Sequence, residues 1–137
     1  MMVLGDILFL NPMRTLSLLK NKEFHVSYFY LTGYYLNMNE KINLRNLEQS
    51  GCVEIFELGN DFYEFYNQNT SHNFAITELS SIYYAKKMNL PLVTECEKIA
   101  NFAIQNNIEV YKPNKALGLI NVGQERIDFL NNIMKIA

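Results

Sequence analysis

The sequence predicts an α/β protein: three layers, α/β/α, around a central parallel sheet. Two observations carry this. Short apolar runs alternate along the chain with stretches of helical periodicity, the rhythm of strands covered on both faces by crossover helices. The clearest case is residues 76 to 111, where "LPLVT" and "IEVYKP" each follow a helical pattern. A third observation concerns domain number. The 137 residues carry no repeat, low-complexity tract or Pro/Gly/Ser linker, so residues 1–137 read as one domain with one folding unit.

The elements follow in order. "MVLG" reads as a short buried strand. "NPMRTLSLLKN" reads as a helix with Asn11 as cap and Pro12 in the first helical position, where its missing N–H costs nothing. "EFHVS" reads as a second strand, and "YFYLTGYYLN" as a helix, although its aromatics also suit a strand. "EKINLRNLEQSG" carries Ile42, Leu44 and Leu47 at helical spacing and stops at Gly51. "CVEIFEL" alternates apolar and acidic residues like a half-exposed strand, and "NDFYEFYNQ" reads as a short helix capped by Asn60.

"TELSSIYYAKKMN" then places Leu79, Ile82, Tyr83 and Ala85 at helical spacing behind Thr77 as cap. After the strand "LPLVT", Thr94 and Glu97 have the spacing of a capping box, and Ile99, Phe102 and Ala103 share one helical face. "IEVYKP" is the last strand, stopped by Pro113, and "NKALGLIN" and "QERIDFLNNIMKI" are closing helices.

Composition excludes several classes. A net charge of −2 argues against nucleic-acid binding through bulk charge, while leaving room for a local basic patch. No apolar run is long enough to span a bilayer, so no membrane role is expected. "MMVLGDILFL" lacks the basic region of an export signal, and Asp6 interrupts its apolar run. Together with only two cysteines, Cys52 and Cys96, this places the chain in a reducing cytoplasm. His25 and His72 have no partner at zinc spacing, and the scattered glycines form no phosphate loop.

In open parallel sheets, sites gather at the carboxyl ends of the strands. Asp6 after "MVLG", Glu78 at a helix start, and Glu95 with Glu97 after "LPLVT" fall there or close by. Each has a second reading. Asp6 can cap a helix, and Glu78 and Glu95 can sit in a first turn because acids complement the helix dipole. Glu97 can serve as the third residue of a capping box. Cys96 reads as a small, partly buried residue. The cluster "YFYLTGYYL" has rings that can stack on RNA bases, but such stripes are more often core and homodimer contact. Lys20 with Lys22, and Lys86 with Lys87, read as solvated surface rather than a phosphate track.

The stretch "ITELSSIYYAKKMNLPLVTECEKIANFAIQNNIEVYKP" resembles the second half of a PIN domain. In that family an acid opens a helix, an alanine follows seven residues later, and a strand ends in threonine with an acid two residues on. Glu78, Ala85 and Thr94 keep this pattern, and Asp6 follows the first strand where the family keeps its first aspartate. The likeness covers residues 3 to 111 and is closest from 76 to 111. It implies a PIN-like fold and a metal-dependent endoribonuclease, often the toxin of a toxin–antitoxin pair, with RNA as substrate and an antitoxin-type protein as partner; the homodimer is expected from the aromatic stretch instead. It also implies carboxylates holding Mg²⁺ or Mn²⁺, since hard cations take oxygen ligands and activate bound water. On that reading Asp6, Glu78 and Glu95 are the catalytic residues, and Glu97 joins them as a metal ligand.

The sequence departs from the family's pattern in three places. The helix glutamate falls on Gly33, the acid after the threonine falls on Cys96, and the helix-opening acid is Glu78 rather than aspartate. A thiolate is a poor ligand for Mg²⁺. Glu95 or Glu97 would have to replace the acid missing at Cys96. The alternative is a PIN-fold module without catalysis that binds a protein partner or itself.

Overall fold

The computed structural model describes residues 1–7, 10–15, 18–120, 123–125, 127–129 and 132. Five strands form one sheet: β1 (Met2–Leu4), β2 (Phe24–Ser27), β3 (Val53–Phe56), β4 (Leu92–Val93) and β5 (Val110–Tyr111). Their order is β3-β2-β1-β4-β5, and every neighbouring pair is parallel. The helices between them are α1 (Leu10–Thr15), α2 (Met38–Gln49), α3 (Asn60–Gln68), α4 (Ile76–Met88), α5 (Glu97–Gln105) and α6 (Pro113–Leu119).

The three layers follow from strand periodicity. Successive side chains of a strand point to opposite faces. Met2 and Leu4 of β1, Phe24 and Val26 of β2 and Val93 of β4 pack on one face with α1, α2 and α6, through Leu10, Met13, Leu44, Leu47, Ala116 and Leu117. Val3 and Leu92 point the other way, into Phe62, Leu79, Ile82, Ile99, Phe102 and Ala103 of α3, α4 and α5. Burial on both faces makes β1 and β4 read as unbroken apolar runs, whereas β2 alternates Phe24 and Val26 with the buried polar residues His25 and Ser27. β3 lies at the sheet edge. There Val53 and Phe56 are buried while Glu54 and Ile55 are partly covered, and Glu54 pairs with Lys22 at 3.2 Å. The expected alternation of a half-exposed strand is therefore absent from β3.

Helix ends differ from the sequence expectation more often than helix bodies. Helix α1 begins at Leu10, one residue before Asn11, so Pro12 lies inside the first turn, where a missing N–H is still tolerated. Helix α3 is capped by Gly59, and Asn60 is its first residue. Helix α4 starts at Ile76 with Ala75 as cap. Glu78 reaches back to the Ala75 N–H, half of a capping box, since alanine offers no acceptor in return. Helix α5 starts at Glu97 behind Cys96, so the box expected between Thr94 and Glu97 does not form. The Thr94 hydroxyl instead accepts from the Cys96 N–H at 3.1 Å. The box that does form lies at α2, where Asn37 and Glu40 bond each other's backbone N–H at 2.9 and 3.0 Å.

"YFYLTGYYLN" is not an α-helix. A single 3₁₀ turn, Tyr28–Leu31, starts on Ser27, whose hydroxyl accepts from the Phe29 N–H. Gly33, at φ +75°, then turns the chain out of helical geometry. Three helices end as the composition favours: Gly51, Asn89 and Asn107 take left-handed backbone after α2, α4 and α5. In each case the next N–H (Cys52, Leu90 or Ile108) bonds back to the carbonyl of Leu47, Ala85 or Ala103. Most of the closing helix proposed for 124–136 lies outside the described residues. Within it, 124–125 and 127–129 are helical. Among the described residues no helix is long and apolar enough to cross a membrane. Cys52 and Cys96 are both free thiols.

Candidate functional site

The strand order places one crevice by topology. From β1 the chain moves to β2 on one side, and from β4 it moves to β5 on the other, so connections diverge between β1 and β4. Beyond the carboxyl ends of that pair an open cleft of about 290 Å³ is lined by Gly5, Asp6, Tyr30, Tyr35, Ala75, Thr77, Glu78, Cys96 and Ile99.

Gly5 brings the wall together. Its N–H bonds the Val93 carbonyl at 2.9 Å, extending the β1–β4 ladder by one residue. A Cβ here would stand 3.3 Å from both the Leu92 Cδ1 and the Val93 carbonyl oxygen, tighter than ordinary contact. The close approach favours glycine, since a Cβ would force its neighbours to give by a few tenths of an ångström, and it delivers the next residue, Asp6, to the cleft. The last carbonyls of β1 are held by hydroxyls from other elements. Ser81 donates to the Leu4 carbonyl and Tyr30 to the Gly5 carbonyl, both at 3.3 Å. Ser80 and Ser81 also bond the Thr77 carbonyl, at 2.8 and 2.9 Å, and Ser80 meets Ser27 of β2 at 2.6 Å. The amino-terminal half of α4 thus carries a buried polar seam beneath the cleft.

Both acids act on the titration of one phenol. Tyr30 is buried, and its pKa is driven well above the usual tyrosine range, first by burial and then by Asp6, with Glu78 and Tyr35 adding smaller effects. A hydrogen bond with Thr77 acts in the opposite direction. Asp6 and Glu78, from opposite halves of the sequence, line the same cleft as Tyr30. Glu78 engages one carboxylate oxygen in the α4 cap, 2.7 Å from the Ala75 N–H.

The remaining sequence candidates lie elsewhere. Glu95 and Glu97 are exposed at the start of α5 and are not among the residues that line the cleft; Cys96 between them is. Gly33 lies in the exposed loop after the 3₁₀ turn, its carbonyl accepting from the Lys41 ammonium at 2.8 Å. Lys22 and Lys87 pair with Glu54 and Asp61, and Lys86 bonds Asn106, so these lysines are engaged locally. His25 is buried, its Nδ1 2.9 Å from the Tyr84 hydroxyl, and is a packed residue. Among the described residues no three His, Cys, Asp or Glu side chains group closely enough to hold a metal ion.

Gly5, Tyr30, Tyr35 and Thr77 escaped the sequence reading. The aromatic stripe signalled burial for Tyr30, but nothing in its spacing distinguishes a core ring from one whose hydroxyl reaches the Gly5 carbonyl at a cleft. In comparisons with known proteins, no family model, no curated protein and no solved structure matches this chain.

Proposed function

We propose that the cleft is the site of a PIN-type, divalent-cation-dependent endoribonuclease, or of its descendant with a reduced acidic set, in which Asp6 and Glu78 hold Mg²⁺ or Mn²⁺. The observation that carries this is that Asp6 and Glu78 line one cleft where the connections of a parallel sheet diverge. The donor set suits a hard cation of a particular kind. Mg²⁺ keeps several waters and is commonly bound by one or two carboxylates together with substrate phosphates, so two acids suffice when the substrate completes the shell. They do not suffice for a preformed cage.

When bound, such a cation supplies Lewis acidity to the phosphate and lowers the pKa of coordinated water. The chain's own residues divide the remaining tasks. Asp6 offers oxygen donors from the end of β1, and Gly5 and Tyr30 fix the backbone that presents it. Glu78 is oriented by its bond to Ala75. Cys96 lines the cleft as a soft donor with no affinity for Mg²⁺. Glu95 and Glu97 reach the site only if the start of α5 shifts.

The test is a calorimetric titration with Mn²⁺ of wild type and Asp6→Asn at near-neutral pH, followed by an RNA cleavage assay. Binding by wild type that Asp6→Asn abolishes supports the proposal. No heat of binding under a large excess of Mn²⁺, either alone or with a non-cleavable RNA present to complete the shell, overturns it.

A second reading, a module without catalysis that binds an antitoxin-type protein or forms a homodimer, is favoured by the thiol at Cys96 and by the lack of a three-ligand group among the described residues. Sedimentation over a concentration series measures the homodimer directly.

A further inference from the structure

We propose that the amino ends of β2 and β3 carry an acid-sensitive latch. In it the Glu54 carboxylate holds the Lys22 ammonium while His25 is neutral, and turns to the imidazole when His25 takes a proton, releasing the turn before β2.

That turn needs holding. Asn21 and Lys22 both have left-handed backbone, at φ 52° and 55°, a conformation that a lysine rarely adopts. Two contacts tie Lys22 to its neighbours. Its N–H bonds the Gly51 carbonyl at 3.1 Å, and its ammonium pairs with Glu54 at 3.2 Å. The next N–H, of Glu23, bonds back to the Lys20 carbonyl at 3.2 Å. One ion pair therefore joins a strained turn to the edge strand β3.

Glu54 has a second claimant. The β2–β3 register sets His25 opposite Glu54, and side chains of paired residues in neighbouring strands project from the same face of the sheet. On that face His25 meets Tyr84 of α4, whose ring stacks on Phe56 of β3 at 3.7 Å. The titratable groups around His25 are thus Tyr84 from α4, Glu54 from β3 and the amino terminus before β1, with Lys22 acting through its pair with Glu54. Of these, Glu54 alone brings the negative charge that an imidazolium needs.

A proton on His25 changes the balance. The side chains of Lys22 and Glu54 are 56% and 43% exposed, and water leaves such a pair little net worth. An imidazolium at a buried position is screened far less and must find a counter-charge. Burial, opposed by Glu54, holds the His25 pKa below its ordinary value, so the closed latch belongs to neutral pH and the exchange to the acid side. The latch lies at the amino ends of the strands, across the sheet from the cleft at their carboxyl ends, and does not depend on what that cleft binds.

The test is amide hydrogen exchange by NMR from about pH 7.5 to about pH 5, corrected for the intrinsic pH dependence of exchange, with the His25 ring signals followed in the same samples. In wild type, protection at Lys22 and Glu23 should fall about two- to fivefold in step with the imidazole titration, the factor that matches the worth of an exposed ion pair. Leu90, whose N–H bonds the Ala85 carbonyl after the left-handed Asn89, is the control and should not follow. Glu54→Gln changes a partly exposed side chain and leaves the core alone. In that variant the two amides should be weakly protected already at neutral pH and lose nothing more in acid, and His25 should titrate at lower pH. Protection that does not track the imidazole, an equal loss at Leu90, or a Glu54→Gln protein that keeps the acid loss would each overturn the latch. So would an imidazole whose titration ignores the Glu54 substitution.

Discussion

Replacing Tyr30 by phenylalanine isolates one hydroxyl at the centre of the cleft. The ring stays, so the packing of a buried side chain is unchanged, and no charge is lost at neutral pH. What disappears is a bond to the Gly5 carbonyl, at 3.3 Å, and the partner of Thr77. A neutral hydrogen bond contributes about 1 kcal/mol net, and the carbonyl left behind costs more only if water cannot replace the phenol. The cleft is open on that side, so we expect about 1 kcal/mol, or roughly 3 °C in Tm for a chain of this size. The assay is urea and thermal denaturation of wild type and Tyr30→Phe across pH 7 to 11. Burial, Asp6 and Glu78 raise the phenol's pKa in the folded state, so the unfolded chain gives up this proton first. The stability contributed by neutral Tyr30 is therefore complete below about pH 10 and declines above it, by at most about 1.4 kcal/mol per pH unit. Wild type should start the more stable protein and lose that lead near pH 11. Equal stability at pH 7 with parallel curves above pH 10 would refute both the bond to Gly5 and the raised pKa of this buried hydroxyl.

Three further outcomes follow from the packing. His25 has its pKa lowered, by burial first, with Glu54 opposing and the amino terminus adding to the shift. Its neutral form belongs to the fold, so the corresponding stability is complete above about pH 6.5 and is lost as pH falls towards the folded pKa. Urea midpoints should drop between pH 7 and 5, and His25→Asn should flatten that slope. Phe62 is fully buried among the rings of Phe29, Tyr63, Tyr66 and Tyr83. Phe62→Ala should cost about 3–5 kcal/mol, and a Tm within 3 °C of wild type would mean this core is not packed as described. Two glycines with open space around them should behave oppositely. Gly51→Ala should destabilise by about 1 kcal/mol because φ is +75° there, whereas Gly118→Ala, inside α6, should be neutral or stabilising when both are compared in urea.

The layers of the fold were legible in the chain because β1 and β4, buried on both faces, are apolar throughout, while β2 keeps Phe24 and Val26 on one face and places His25 and Ser27, each with a hydrogen-bond partner, on the other. Helix starts were less legible. Asn60, Thr77 and Thr94 are good capping types, yet the backbone leaves its extended conformation one residue or more away from the cap position in each case. Where the strand or loop releases the chain decides the start, and that depends on tertiary pairing. The site divided in the same way. Asp6 and Glu78 both line the cleft because Gly5 carries the β1 ladder on to Asp6, and Glu78 still falls in the first turn of α4 although that helix starts before the expected cap, Thr77. Glu95 and Glu97 depended on the register of α5, which begins late. The role of Tyr30 needed the three-dimensional approach of its hydroxyl to Gly5.

The polar seam of α4 bears on how the site works. Thr77, Ser80 and Ser81 are buried where apolar residues would fill the same space at lower desolvation cost. Their bonds to Leu4, to the Thr77 carbonyl and to Ser27 offset that cost and tie α4 to the carboxyl ends of β1 and β2. The framework behind Asp6 and Glu78 is therefore held from within. The carboxylates themselves form no closed cage, and their third neighbour is a thiol. A rigid support beneath an incomplete shell predicts that cation and polynucleotide bind with positive coupling, each supplying contacts the other lacks, and such coupling is reciprocal. Mn²⁺ titrations with and without a non-cleavable single-stranded RNA should then differ in affinity by about fivefold or more, the lower end of ordinary coupling energies. The same factor should appear when RNA is titrated at saturating Mn²⁺. Affinities that do not depend on the partner ligand would mean that phosphate does not complete the shell, and the two-carboxylate account of the cleft would fall.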